Sequence, residues 1–201
     1  MLSSQNNPSV NHLEAQPKAF GAGMLMVASR KIAACEAWLA GALIFLIFLL
    51  LLANVVCRTL GLPLIWADEL AVLLMAWVAF VGASMGLAHR QHIAVTLLPD
   101  AMPAAARRRL ALLVDGLLLV FLAVLIVQLW NWFDPIGLWR AGSVDAFSSS
   151  AFNFIYQEPT ITLGVPKFWF WLVLPIFCLT SVLHVVASLL ARYNAPAETA
   201  Q

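Results

Sequence analysis

Charged and titratable side chains are scarce in this chain, so those that lie in or beside apolar runs carry most of the chemical information. Arg58 is followed by Asp68 and Glu69, and Gly61 and Pro63 lie between them. Opposite charges thus meet across a short turn, with Trp66 among them. The two acids precede the uncharged run Leu70 to Ala88, so they sit at a helix start, where free N–H groups and the helix dipole favour negative charge. His89, Arg90 and His92 close the same run on its other side. A third acid, Asp115, falls inside the apolar stretch Leu110 to Phe133, and His184 falls inside Phe168 to Ala191.

Each of these groups has more than one chemical use. A carboxylate at mid-membrane costs about 2.5–3.5 kcal/mol on insertion scales, which makes Asp115 a functional candidate. It follows Arg108 by two helical turns on the same face. It can pair with that arginine, pair with another subunit, or couple to an ion. Histidines on facing spans can hold a b-type haem. Here His184 alone is clearly embedded, while His89 and His92 are interfacial, so a haem protein stands as an alternative. No His/Glu cluster has metal-ligand spacing, and no G-x-S-x-G, phosphate loop or intramembrane Ser/His pair is evident. The expectation is therefore no catalytic residue, no metal ion, no cofactor, and no enzyme.

The elements that position these groups follow from composition. Of 201 residues, 63% are apolar and 10% charged, far below the roughly 25% charged of a soluble domain. Four uncharged or nearly uncharged runs are each long enough to cross a bilayer as a helix at about 1.5 Å per residue. The fold class is an all-α integral membrane protein with four transmembrane helices, about 33–57, 69–88, 108–133 and 167–191. They make one domain, 30–192, between a polar N-terminal tail (1–29) expected to be disordered and a short C-terminal tail (193–201). Eight of the eleven Lys and Arg residues fall on the side of the termini, which places both termini in the cytoplasm under the positive-inside rule.

Within the spans, Gly82-Ala-Ser84-Met-Gly86 matches G-x-x-x-G, a spacing that lets another helix approach closely, from this chain or from a partner. Pro175 should kink the last span by removing the donor for the carbonyl of Trp171. Asp134 to Lys167 is too polar to span. Its aromatic-rich part, Trp139 to Tyr156, reads as a short interfacial segment in the third loop, or as a face for a partner. The three cysteines act as small apolar fillers. Arg107, Arg108 and Arg109 suit an anionic membrane surface rather than nucleic acid.

Arg58-x-x-Gly61-x-Pro63-x-x-Trp66-x-Asp68-Glu69, Phe80-Val-Gly82-Ala, His92-Ile-x-Val and Leu98-Pro99 together resemble the small membrane subunit of TRAP (tripartite ATP-independent periplasmic) transporters. The likeness continues through Pro103 and Arg107-Arg108, then through Leu163-Gly-Val-Pro166 and Pro175, over roughly residues 30–192. The resemblance implies a multi-pass subunit of the bacterial inner membrane that scaffolds and stabilises a large membrane subunit. The large subunit would carry the solute and sodium sites, and an extracytoplasmic substrate-binding protein would deliver an organic acid. It also makes Arg58, Trp66, Asp68, Glu69, Gly82, Gly86, His92 and Asp115 candidates for the partner interface. Beside the haem protein, an orphan four-helix membrane assembly subunit remains the other alternative.

Overall fold

Gly61 adopts φ +78°, a left-handed conformation that glycine takes without a side-chain clash. It stops the first helix, α1 (Gln16–Thr59), in a Schellman arrangement. Leu62 N–H donates to Cys57 O at 2.9 Å and Gly61 N–H to Arg58 O at 3.1 Å. Pro63 follows, and α2 (Ile65–His89) starts two residues later. This tight reversal lays α2 antiparallel along α1. The computed structural model describes residues 16–89 and 103–194. Its other elements are α3 (Ala104–Phe133), α4 (Pro135–Ala141), α5 (Val144–Ala151), α6 (Phe168–Trp171) and α7 (Val173–Asn194).

Four helical stretches are long and apolar enough to cross a membrane: Gly23–Thr59, Ile65–His89, Ala105–Ala141 and Phe168–Ala191. The expected all-α class with four spans is what the chain forms. The described part of the N-terminal tail, from Gln16 on, differs from expectation. Helix α1 begins at Gln16, well inside the stretch 1–29 expected to be disordered. Pro17 is tolerated in a first turn, and Met24-Leu-Met-Val-Ala28 continues the helix with mostly good helix formers. At 44 residues α1 is about 66 Å long, roughly twice the hydrocarbon thickness of a bilayer.

Helix α7 is the hub, packing against α1, α2 and α3. A third of its span is buried (33%), against 11% for the stretch containing α3. The helix interfaces are built largely from small side chains: Ala33 and Ala40 on α1, Ala67, Ala71 and Ser84 on α2, and Cys178, Ser181 and Ala187 on α7. Small residues let helix backbones come close, which is how membrane helices gain packing energy in lipid. The last span is interrupted at Leu172, between α6 and α7. That is where Pro175 withdraws the donor for Trp171, as its position in the sequence implies.

The third loop folds as two short helices and a turn. Asp134 (φ 35°) separates α3 from α4, and its Oδ1 accepts Gly137 N–H at 2.9 Å. A Cβ at Gly137 would lie 2.1 Å from Asp134 Oδ2, so this cap requires glycine. Tyr156 Oη donates to Phe133 O at 2.5 Å and Asn153 Nδ2 to Trp132 O at 2.8 Å, capping the carbonyl end of α3. Tyr156 also stacks between Phe147 (5.8 Å) and Phe168 (4.9 Å), and so ties the loop to the start of the last span.

Candidate functional site: two polar clusters at opposite ends of the bundle

The first cluster gathers the residues around the α1–α2 turn. Arg58 and Asp68 form an ion pair at 3.6 Å with both side chains largely exposed (67% and 55%). The stronger bond to Asp68 comes from Asn54, whose Nδ2 donates to Asp68 Oδ1 at 2.8 Å. The Asn54 Oδ1 in turn accepts Leu64 N–H at 3.1 Å, so one buried amide ties the end of α1 to both sides of the turn. Trp66 lies beside it, 41% exposed.

Glu69 has a different role. Its Oε1 accepts Ile161 N–H at 2.7 Å. Its Oε2 accepts Thr162 N–H and Thr162 Oγ1 at 2.6 Å each, and Leu163 N–H at 3.3 Å. Three successive backbone amides and a hydroxyl thus converge on one carboxylate, the concave arrangement that suits an anion. The segment they come from is a small hairpin held by a bridge between Pro159 and Pro166, with Gly164 at φ +69° and an ion pair of Glu158 with Lys167 at 2.7 Å. Glu69 fastens this hairpin, more than ninety residues away in sequence, to the top of α2.

The second cluster lies near the other ends of α1, α2 and α7. His184 is 1% exposed, Glu36 7% and Ser29 9%. Ser29 Oγ lies 2.7 Å from His184 Nδ1, and His184 Nε2 lies 3.2 Å from Glu36 Oε2. Ser84 Oγ and Thr180 Oγ1 are 2.7 Å apart and face the same carboxylate. Helix periodicity explains the α1 contribution. Ser29, Ala33, Glu36 and Ala40 share one stripe, so turning the small alanines inward turns Ser29 and Glu36 inward too.

Sequence reasoning found no intramembrane Ser/His pair, and here the structure corrects it. Ser29 and His184 are 155 positions apart and meet only because α7 packs on α1. The arrangement superficially matches a Ser–His–Glu relay, but it lacks the parts such chemistry needs. Ser29 lies within a continuous helix, whose amides are engaged in the helix ladder and cannot bind an oxyanion. Both ring nitrogens of His184 are bonded within the protein, leaving neither for an axial haem position. What the cluster does is join three helices.

Glu36 was missed as a site residue, although a signal existed. It is an acid five residues past Lys31, on the stripe with Ser29, at the edge of an uncharged run. Asn54, embedded four residues before Arg58, was a similar signal. Asp115 is buried in α3 at 8% exposure, and the Arg108 side chain lies outside the described residues, as does His92.

The G-x-x-x-G expectation turns out differently. A Cβ at Gly82 or Gly86 would meet nothing within 4 Å, so among the described residues no helix uses either glycine for close approach. The buried residue of that motif is Ser84, 1% exposed. It is two positions from each glycine, about 160° round the helix, so facing Ser84 to α7 turns both glycines away. Gly86 instead opens on a cleft of about 340 Å³ walled by Leu87, Leu118, Phe121, Leu122 and Phe177.

The pattern of the family described as "Tripartite ATP-independent periplasmic transporters, DctQ component" matches residues 47–194. Among curated proteins, the C4-dicarboxylate TRAP transporter small permease protein DctQ of Vibrio cholerae serotype O1 is 37% identical over 94 residues. That match takes in 46% of this chain and 40% of the Vibrio protein. The sialic acid TRAP transporter permease protein SiaT of Haemophilus influenzae is 36% identical over 74 residues, 36% of this chain and 12% of that protein. The matched segments thus span well under half the length of either relative. No solved structure matches.

Proposed function

This chain belongs to the DctQ-component family of tripartite ATP-independent periplasmic transporters, and we propose that it is the scaffold subunit of such a system. It is a multi-pass membrane protein, and its relatives are transporter permease subunits rather than enzymes. In this reading it lies in the bacterial inner membrane with both termini in the cytoplasm. It binds a larger permease subunit that carries the solute and sodium sites, and an extracytoplasmic binding protein supplies an organic acid.

The observation that carries the reading is the division between polar and apolar surface. The Glu36–His184 and Asn54–Asp68 groups bond to one another across helices instead of lining a cavity. The cleft beside α3 is walled almost wholly by leucine and phenylalanine. Outward, α3 presents Leu113, Leu117, Val120, Phe121, Val124 and Val127, each more than half exposed. An apolar flank of this kind suits lipid or a neighbouring subunit and offers no acceptor or donor to a carboxylate solute. The Haemophilus match supports the partnership, because the segment like this chain makes up only 12% of a longer permease polypeptide.

The test is reconstitution. The chain alone in liposomes should move no organic acid. Uptake should need the large subunit, the binding protein and a sodium gradient, and solute-specific uptake by the isolated chain would overturn the scaffold reading. The glycine face gives an independent test. Gly82→Leu and Gly86→Leu should leave the isolated chain folded, since a Cβ at either position meets nothing within 4 Å and a leucine at 86 can extend into the cleft beside it. They should lower recovery of the large subunit if a helix of that subunit packs there. Unchanged recovery places the contact elsewhere.

A further inference from the structure

Arg30 and His89 stand at the mouth of a second cleft, of about 390 Å³, between the N-terminal part of α1 and the C-terminal end of α2. Its walls are mostly alanines, Ala33, Ala34 and Ala37 from α1 and Ala88 from α2, with Ser29 beside them, its hydroxyl engaged by His184. Where larger side chains would fill the space between two antiparallel helices, methyl groups leave it open. Arg30 and Lys31 are both exposed, yet only Arg30 borders the cleft. Among the described residues no carboxylate pairs with Arg30 or His89. The acid nearest on α1, Glu36, shares the inward stripe of Ser29 and Ala33 and is engaged by His184. His89 uses Nδ1 on the Met85 carbonyl at 3.0 Å, which leaves Nε2 on the open side of the ring.

We propose that this cleft is a binding site for an anionic phospholipid, with the headgroup phosphate held by the Arg30 guanidinium beside His89 and an acyl chain laid along the alanine walls. The charge fits a phosphate, since the mouth carries a guanidinium and an imidazole and, among the described residues, no acid. Guanidinium presents paired donors to phosphate oxygens in a planar fork, which an isolated ammonium cannot. The depth fits a lipid rather than a soluble phosphate. Ala33 to Ala37 continue from Arg30 into the apolar part of α1, and only an amphiphile satisfies a cationic mouth and an apolar floor together. Basic pockets between spans at a membrane face are the usual form of headgroup recognition. Such a lipid would fasten α1 to α2 at the end of the hairpin opposite the Asn54 tie. This inference does not depend on the transport role.

The test uses the full chain in nanodiscs of phosphatidylcholine doped with phosphatidylglycerol. Native mass spectrometry then counts the lipid retained after release from the disc. Wild type should retain phosphatidylglycerol in preference to phosphatidylcholine. Arg30→Gln should lower that retention by more than the about fivefold that any one basic residue near an anionic surface supplies. Lys31→Gln removes the same charge from the adjacent position and should change little. Ala37→Leu keeps both charges but fills the cleft, and it should also abolish the preference. Ala88→Leu does the same from the opposite wall if the first variant loses helicity. Equal losses for Arg30→Gln and Lys31→Gln would reduce the effect to diffuse surface attraction and overturn the site. So would retention unaffected by filling the cleft, or no preference for phosphatidylglycerol in wild type.

Discussion

Replacing His184 with alanine removes a side chain with no exposed surface and breaks both of its hydrogen bonds, to Ser29 at 2.7 Å and to Glu36 at 3.2 Å. Interhelical hydrogen bonds in a bilayer average about 0.6 kcal/mol and reach about 1.7, so two of them contribute about 1–3 kcal/mol. The void left by the ring adds to this, because the small residues around it cannot collapse far enough to fill it. Removing the ring also leaves the buried Glu36 carboxyl without that partner, which adds about 1–3 kcal/mol. The exposed Arg58–Asp68 pair is the natural control. At 3.6 Å, with both side chains more than half exposed, it is worth about 0–1 kcal/mol, and Arg58→Gln should be nearly silent. The assay is reversible unfolding of the purified chain in mixed micelles, followed by emission from its eight tryptophans. Glu36→Leu, His184→Leu and the double variant complete a cycle. Each single substitution should destabilise strongly. The double should cost much less than their sum, because two leucines facing each other strand neither a carboxyl nor an imidazole. Singles within about 0.5 kcal/mol of wild type, or a double equal to the sum, would refute the view of this cluster as the tie between α1 and α7.

Glu69→Gln leaves one acceptor oxygen where two now hold three amides and a hydroxyl. Exchange at the amides of Ile161, Thr162 and Leu163 should accelerate in hydrogen–deuterium exchange, and unchanged protection would remove Glu69 as the fastener of the 159–166 hairpin. Burial, and after it the Asp134 carboxylate, raise the Tyr156 phenol above its ordinary value. The folded loop therefore keeps a proton that the unfolded chain gives up. The stability this brings is present below the unfolded value and is lost as pH rises from there through the folded one. Tyr156→Phe should flatten the alkaline fall of Tm, and an identical slope in the two proteins would contradict this assignment. For orientation, Ser149→Cys should react with an impermeant thiol reagent in intact cells, while Ala195→Cys should stay protected; the reverse pattern would invert the topology.

The spans, the hairpin and the break in the last helix were all legible along the chain, for a common reason. Hydropathy, the left-handed freedom of Gly61 and the missing N–H of Pro175 act within a few residues, so local sequence expresses them directly. The same locality put Asp68 and Arg58 at one end of the bundle and His184 inside a span. What packing decided is the rotation of each helix and the choice of its neighbours. Gly82 and Gly86 promised a contact face by spacing alone, yet α2 turns Ser84 inward, because Ser84 meets Thr180 on α7 and only one side of a helix can face a given partner. Glu69 read as a charge available to a partner, while its carboxylate closes on amides 92 to 94 residues away. Glu36 drew no notice because its partner is 148 residues distant. A buried polar bond depends on two side chains meeting in space, and that meeting is set by how the helices dock, which no stretch of chain shorter than the whole bundle encodes.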